Sequence, residues 1–163
     1  MSVYTLQVIM VWLDQICSKF IIPYCVMEKE LSYNKGAMGL DMYMMYGDKN
    51  APVDNRTNTD ELIYWRKFNA LHRWFVDVLQ DGVDNCQLTT VSKDDLTRLI
   101  ADIRRVIAGE IVDELEPRSG CFFGSLEKDD YYTTQMNKAL KDFENLLNGF
   151  DFENNNLYYA SSW

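Results

Sequence analysis

Apolar and polar positions alternate along the chain in blocks that predict its elements one by one. Over residues 5–22, Leu6, Ile9, Met10, Leu13, Ile16 and Phe20 recur at helical spacing, with Asp14 and Lys19 to one side. This predicts an N-terminal helix that is buried or faces a partner. Asp14, Gln15, Ser18 and Lys19 interrupt the apolar run and Pro23 ends it, whereas a membrane span needs about 20 nearly unbroken apolar residues. No positive charge precedes the run, as a secretory signal would require. Residues 38–46 alternate strand-forming side chains loosely and predict a strand. Residues 47–59, rich in Asn, Asp and Pro, predict a loop.

Asp60 and Glu61 open a predicted helix that runs to about Gln80, with acidic groups suited to its positive end and Gly82 suited to its stop. On it Trp65, Asn69 and His72 would share a line with Leu62, Phe75 and Leu79. Ser92 with Asp95 is a capping-box variant, and Leu96, Leu99, Ile100, Ile103, Val106 and Ile107 form one stripe behind it. Residues 110–116 suggest a further helical turn. Residues 129–148 predict the last long helix, with Met136, Ala139, Leu140, Phe143, Leu146 and Leu147 inward. Phe122 and Phe123 lie between glycines, as a core plug would. The tail over 157–163 is too aromatic to hang loose and is expected to dock.

These elements predict a mainly α fold: a compact single domain with three long helices and a small β element from the Met38 segment and the C-terminal tail. The alternative is α+β with a more complete small sheet. Residues 38–163 form the predicted domain, and residues 1–37 a helical extension. Two readings of that extension stand side by side, a genuine extra helix or upstream sequence ahead of a start at Met38.

Charge narrows the partners. The chain carries a net −9 with an isoelectric point near 4.5, which argues against nucleic acid held by the surface as a whole. Acidity gathers over residues 107–163, with eleven Asp/Glu against four Lys/Arg. That is either a solvated surface or a decoy for a partner that normally holds a polyanion. The cysteines, Cys17, Cys25, Cys86 and Cys121, show no close pair with metal-ligand spacing, and a single histidine cannot complete a Cys₂His₂ set. Reduced buried thiols are expected, with no metal and no cofactor.

The candidate chemistry sits in residues 64–75, where two tryptophans, three cations and the sole histidine meet without an acid. Trp65, Arg66, Lys67, Asn69, His72 and Trp74 are the candidate ligand-binding residues. An amide and an imidazole in an apolar stripe need hydrogen-bond partners. One reading is a buried Asn69–His72 pair that fixes helix register. The other is a pocket with Trp65 or Trp74 as an aromatic wall and Arg66 or Lys67 holding an anion. His72 as a general base would need Ser119, Ser125, Cys86 or Cys121 within reach, and no spacing singles one out. Asp41 is a candidate to orient His72 or Arg66.

Several segments occur together in a recognisable order: Met38-Gly39-Leu40-Asp41-Met42-Tyr43, Tyr64-Trp65-Arg66-Lys67, Asn69 with His72 and Trp74-Phe75, Gln80-Asp81-Gly82-Val83-Asp84 with Cys86, residues 119–125, and the terminal Ser161-Ser162-Trp163. In these, over about residues 38–163, the chain resembles a family of small uncharacterised proteins of tailed bacteriophages. The resemblance implies a phage accessory protein in the host cytoplasm, engaged in host takeover or counter-defence. It would bind a host protein or sequester a small nucleotide-like anionic ligand, with a homo-oligomer left open and no membrane involved. The alternative is a small enzyme centred on His72 that acts on a phosphorylated metabolite or nucleotide.

Overall fold

The computed structural model describes residues 39–51, 56–120 and 122–163. The predicted helix over 5–22, the boundary after residue 37, and Cys17, Cys25 and Cys121 lie outside the described residues. Four strands, β1 (Asp41–Asp48), β2 (Asp60–Arg66), β3 (Thr89–Val91) and β4 (Asn155–Ser162), form an antiparallel sheet in the order β2-β1-β4-β3. Three helices, α1 (Asn69–Leu79), α2 (Lys93–Ile107) and α3 (Asp130–Gly149), and a 3₁₀ turn at Asp113–Leu115 complete the described fold.

The fold is therefore α+β, not mainly α. The three long helices are present, but the sheet holds four strands. The main source of the difference is residues 60–66, expected as the first two turns of a helix and found as β2. Leu62, Trp65 and Asn69 do fit a helical period. Ile63 and Trp65 also alternate with Leu62, Tyr64 and Arg66, and this β-branched and aromatic run favours the extended state. Lys67 then breaks the chain with φ of +54°, and α1 begins two residues later. Asp60 and Glu61 consequently head a strand rather than a helix dipole.

Pairing of β1 with β4 is in register over all eight residues, from Asp41 with Ser162 to Asp48 with Asn155. The expected tail thus becomes a central strand. One face of the sheet points into the core through Met42, Met44, Trp65, Val91, Leu157 and Tyr159, and meets Leu71, Trp74 and Phe75 of α1 and Leu96, Leu99 and Ile103 of α2. Met136, Ala139 and Phe143 of α3 close the same core, with the Phe143 ring 5.3 Å from Trp65. Each fully buried aliphatic or aromatic side chain here contributes ~1.5–3 kcal/mol. Pairing of β1 with β2 carries a bulge between Met44 and Met45, and Leu62 at that point is 40% exposed.

α2 follows the expected pattern. The Ser92 hydroxyl accepts from the Asp95 amide at 3.1 Å, and the Asp95 carboxylate accepts from the Ser92 amide at 2.9 Å. Two donors at the helix start are satisfied reciprocally. Ser92→Ala should cost about 1 kcal/mol. In urea titration this appears as a lower midpoint at unchanged slope; an unchanged midpoint would mean that the cap does not hold this helix end.

Candidate functional site

The single histidine organises the interior. α1 carries His72 inward between β4 and the connector after α1, and the side chain is 1% exposed. Its Nδ1 lies 2.7 Å from the Tyr159 hydroxyl, and its Nε2 lies 3.0 Å from Asp84 Oδ2. Burial first, and then the nearby Asp84 charge, push the Tyr159 phenol well above its usual range, so it keeps its proton. Assigned from these partners, Tyr159 donates to Nδ1 and the Nε2–H of His72 donates to Asp84. The other Asp84 oxygen accepts from the Trp163 indole at 3.1 Å. One chain of polar contacts thus joins β4, α1, the connector and the C-terminal residue.

Aromatic rings enclose this chain. Phe75 stacks on Tyr159 at 3.8 Å between centroids and 8° between planes, and Phe123 sits edge-on to His72 at 5.3 Å. Trp163 meets the other side of Phe123 at 5.8 Å. Asn69, at the start of α1, fixes the Phe123 loop by donating to the carbonyls of Phe123 at 3.2 Å and Ser125 at 2.8 Å. Gly124 is required there. Its φ is +104°, and a Cβ would stand 2.9 Å from the Lys67 carbonyl oxygen. The Ser161 hydroxyl, near Tyr159 on the same face of β4, partly offsets the rise in the Tyr159 pKa. It is buried and meets no partner with hydrogen-bond geometry.

The six candidate residues do not converge. Trp65 faces the core from β2, and its indole nitrogen has no partner. Trp74 is buried and donates to Asp102 of α2 at 3.0 Å. Arg66 lies on the other face of β2, 3.8 Å from the Asp41 carboxylate. Lys67 and Asn69 border a recess of about 20 Å³ beside Ser125 and Tyr131, room for a single water. Of the candidate nucleophiles, Ser119 and Ser125 are exposed and Cys86 is buried. Asp41 serves Arg66 and Tyr64 rather than His72. Asp84, Tyr159, Ser161 and Trp163 were not among the candidates; the aromatic tail was the signal that could have pointed to the last three.

A second cluster occupies the outer face of the sheet. Tyr43 and Tyr64 pair across β1 and β2 with rings 5.5 Å apart, and the Arg56 guanidinium lies 5.8 Å from the Tyr43 ring. Tyr64 is 42% exposed and donates its hydroxyl to Asp41. That hydrogen bond to a carboxylate, then burial, raises the Tyr64 pKa to about 12. Among the described residues no group of His, Cys, Asp and Glu is arranged to hold a metal ion, and no helix is long and apolar enough to cross a membrane. Comparison with family models, curated proteins and solved structures finds no match in any of the three.

Two outcomes test this geometry. Tyr159→Phe keeps the stack on Phe75 but strands the buried Nδ1 of His72, and should lower stability by about 1–3 kcal/mol in chemical denaturation. A neutral result would remove His72 from the centre of the network. Tyr64 should ionise near pH 12 by ultraviolet titration, and Asp41→Asn should bring it back toward 10. Because the folded pKa lies above the unfolded value, this contribution is present below pH 10 and is lost as pH rises toward 12.

Proposed function

We propose that this is a bacteriophage accessory protein that works in the host cytoplasm by binding a host protein through the outer face of its sheet. The observation that carries the reading is the full engagement of His72. Both ring nitrogens are held by the protein's own Tyr159 and Asp84, and the ring is sealed by Phe123. A general base needs a ring nitrogen within reach of a substrate proton, so this arrangement favours structure over catalysis.

A second observation bears on a small anionic ligand. Trp65 and Arg66 are consecutive strand residues and point to opposite faces of β2. An aromatic wall and a cation on opposite faces cannot share one pocket. The outer face, in contrast, offers Leu62, Tyr64, Tyr43 and Arg66 side by side. Tyrosine and arginine dominate binding energy at protein interfaces. The tyrosines and Arg66 are already tied to Asp41 or to each other, which lowers the ordering cost of binding.

The test places a photo-crosslinking phenylalanine analogue at position 64 in phage-infected cells, with position 137 on the exposed side of α3 as the control. A discrete host adduct at 64, absent at 137 and lost when Leu62→Glu is added, is the expected result. Equal adducts at both positions, or none, would overturn the reading. Recovery instead of a co-purifying small anion, released by Arg66→Ala, would transfer the function to ligand sequestration.

A further inference from the structure

We propose that β2 is the self-association edge of this protein, pairing antiparallel with β2 of a second copy around Tyr64. The inference concerns assembly and does not depend on the host-binding reading. The argument starts from the sheet order, which makes β2 and β3 the two edge strands. β3 is three residues long, and short edges resist pairing. β2 is seven residues long, and among the described residues no strand pairs with its outer side.

The hydrogen-bond phase of β2 decides which groups face outward. The Lys67 amide donates to the Leu40 carbonyl at 2.7 Å, so position 67 points toward β1. In an antiparallel ladder these directions alternate. The backbone groups of Trp65 and Ile63 therefore turn toward β1, and those of Arg66 and Tyr64 turn to the outer edge. Tyr131 donates its hydroxyl to the Arg66 carbonyl at 3.0 Å and closes that end of the edge. The bulge at Leu62 closes the other. Tyr64 remains at the middle with an outward N–H and an outward carbonyl. A two-fold axis through Tyr64 lets the two copies exchange both bonds in one closed, isologous pair.

Charge along the strand favours the same arrangement. β2 begins with Asp60 and Glu61 and ends with Arg66, followed by Lys67. Antiparallel self-pairing brings the basic end of each copy beside the acidic end of the other, whereas parallel pairing would stack like charges. Leu62 and Tyr64, both substantially exposed in one copy, become neighbours across the axis. Exposed ion pairs add little energy, so the charges set direction and register while the backbone bonds and apolar contact hold the pair. The two outer faces then join into one continuous surface around the paired Tyr64 side chains.

Sedimentation of the full chain over a concentration series tests this. The expected result is a reversible dimer, weakened about tenfold in dissociation constant by Arg66→Glu or Leu62→Arg alone and restored by the two together, because the axis sets position 66 of each copy opposite position 62 of the other. The double variant leaves the Asp41–Arg66 bridge broken, so its rescue would report pairing between copies rather than repair of the fold. Beside Tyr64→Ala, which removes the ring and hydroxyl but keeps the backbone N–H and should still dimerise, Tyr64→Pro also removes the N–H that faces away from β1, at a position where an edge strand tolerates proline. It should give a folded monomer by circular dichroism and sedimentation. A monomeric parent protein at every concentration, single charge variants that dimerise normally, or a Tyr64→Pro dimer would each overturn the proposal. A monomer that still crosslinks to a host protein would overturn it alone.

Discussion

The bond from the Tyr159 hydroxyl to His72 is the constraint on which most of the architecture depends. Tyr159 belongs to the strand nearest the C-terminus, and His72 to the first helix after β2. Joining them fixes β4 at the middle of the sheet against α1. The stack of Phe75 on Tyr159 adds about 0.5–1.5 kcal/mol beyond the area it buries. His72 passes the constraint on to Asp84, and Asp84 to Trp163. Buried polar groups of this kind are costly if left half-made, because each orphaned donor or acceptor keeps its desolvation penalty. Completing the chain therefore demands one placement of the connector and of the last residue.

The same constraint explains why the Phe123 loop is shaped as it is. A histidine held at both nitrogens still has ring faces and edges to bury, and Phe123 and Tyr159 pack beside them. Asn69 anchors the covering loop through two carbonyls, and Gly124 supplies the backbone conformation that lets the loop approach Lys67. The conversion of β2 into α1 at Lys67 thus serves the loop as well as the sheet. Trp74, bonded to Asp102, ties the opposite side of α1 to α2. The helix is held from both sides, which leaves its residues committed to the interior.

Much of this was legible along the chain, and the illegible parts share a physical cause. The Ser92–Asp95 cap, the stripe of α2, the strand expected over 38–46 and found at Asp41–Asp48, and the docking of the aromatic tail all follow from local patterns of about a dozen residues or fewer. Residues 60–66 misled because their apolar spacing satisfies two periods at once, and only the break at Lys67 decides between them. The partners of His72 were out of reach for another reason. Tyr159 stands 87 positions away, and nothing in the local sequence of either residue encodes the other. The local pattern around Asn69 and His72 shows that both must find hydrogen-bond partners, and topology decides which groups those are. Trp65 and Arg66 are neighbours along the chain, and adjacency in a strand is what separates them in space.

A division of labour follows from the sheet. Its inner face is spent on stability: Met42, Met44, Trp65 and Tyr159 are buried in the core, and the single histidine is engaged at both nitrogens. Variation on that face would cost packing or strand a buried donor. Its outer face carries Tyr43, Tyr64, Leu62 and Arg66 on the same rigid strands, so each gains positional accuracy without contributing to the core. A residue there can change at little cost to folding, which is the freedom an interaction surface requires. The edge of β2 extends this logic, because a backbone pair at Tyr64 asks nothing of the interior. Function in this protein is best sought where the strands face away from His72.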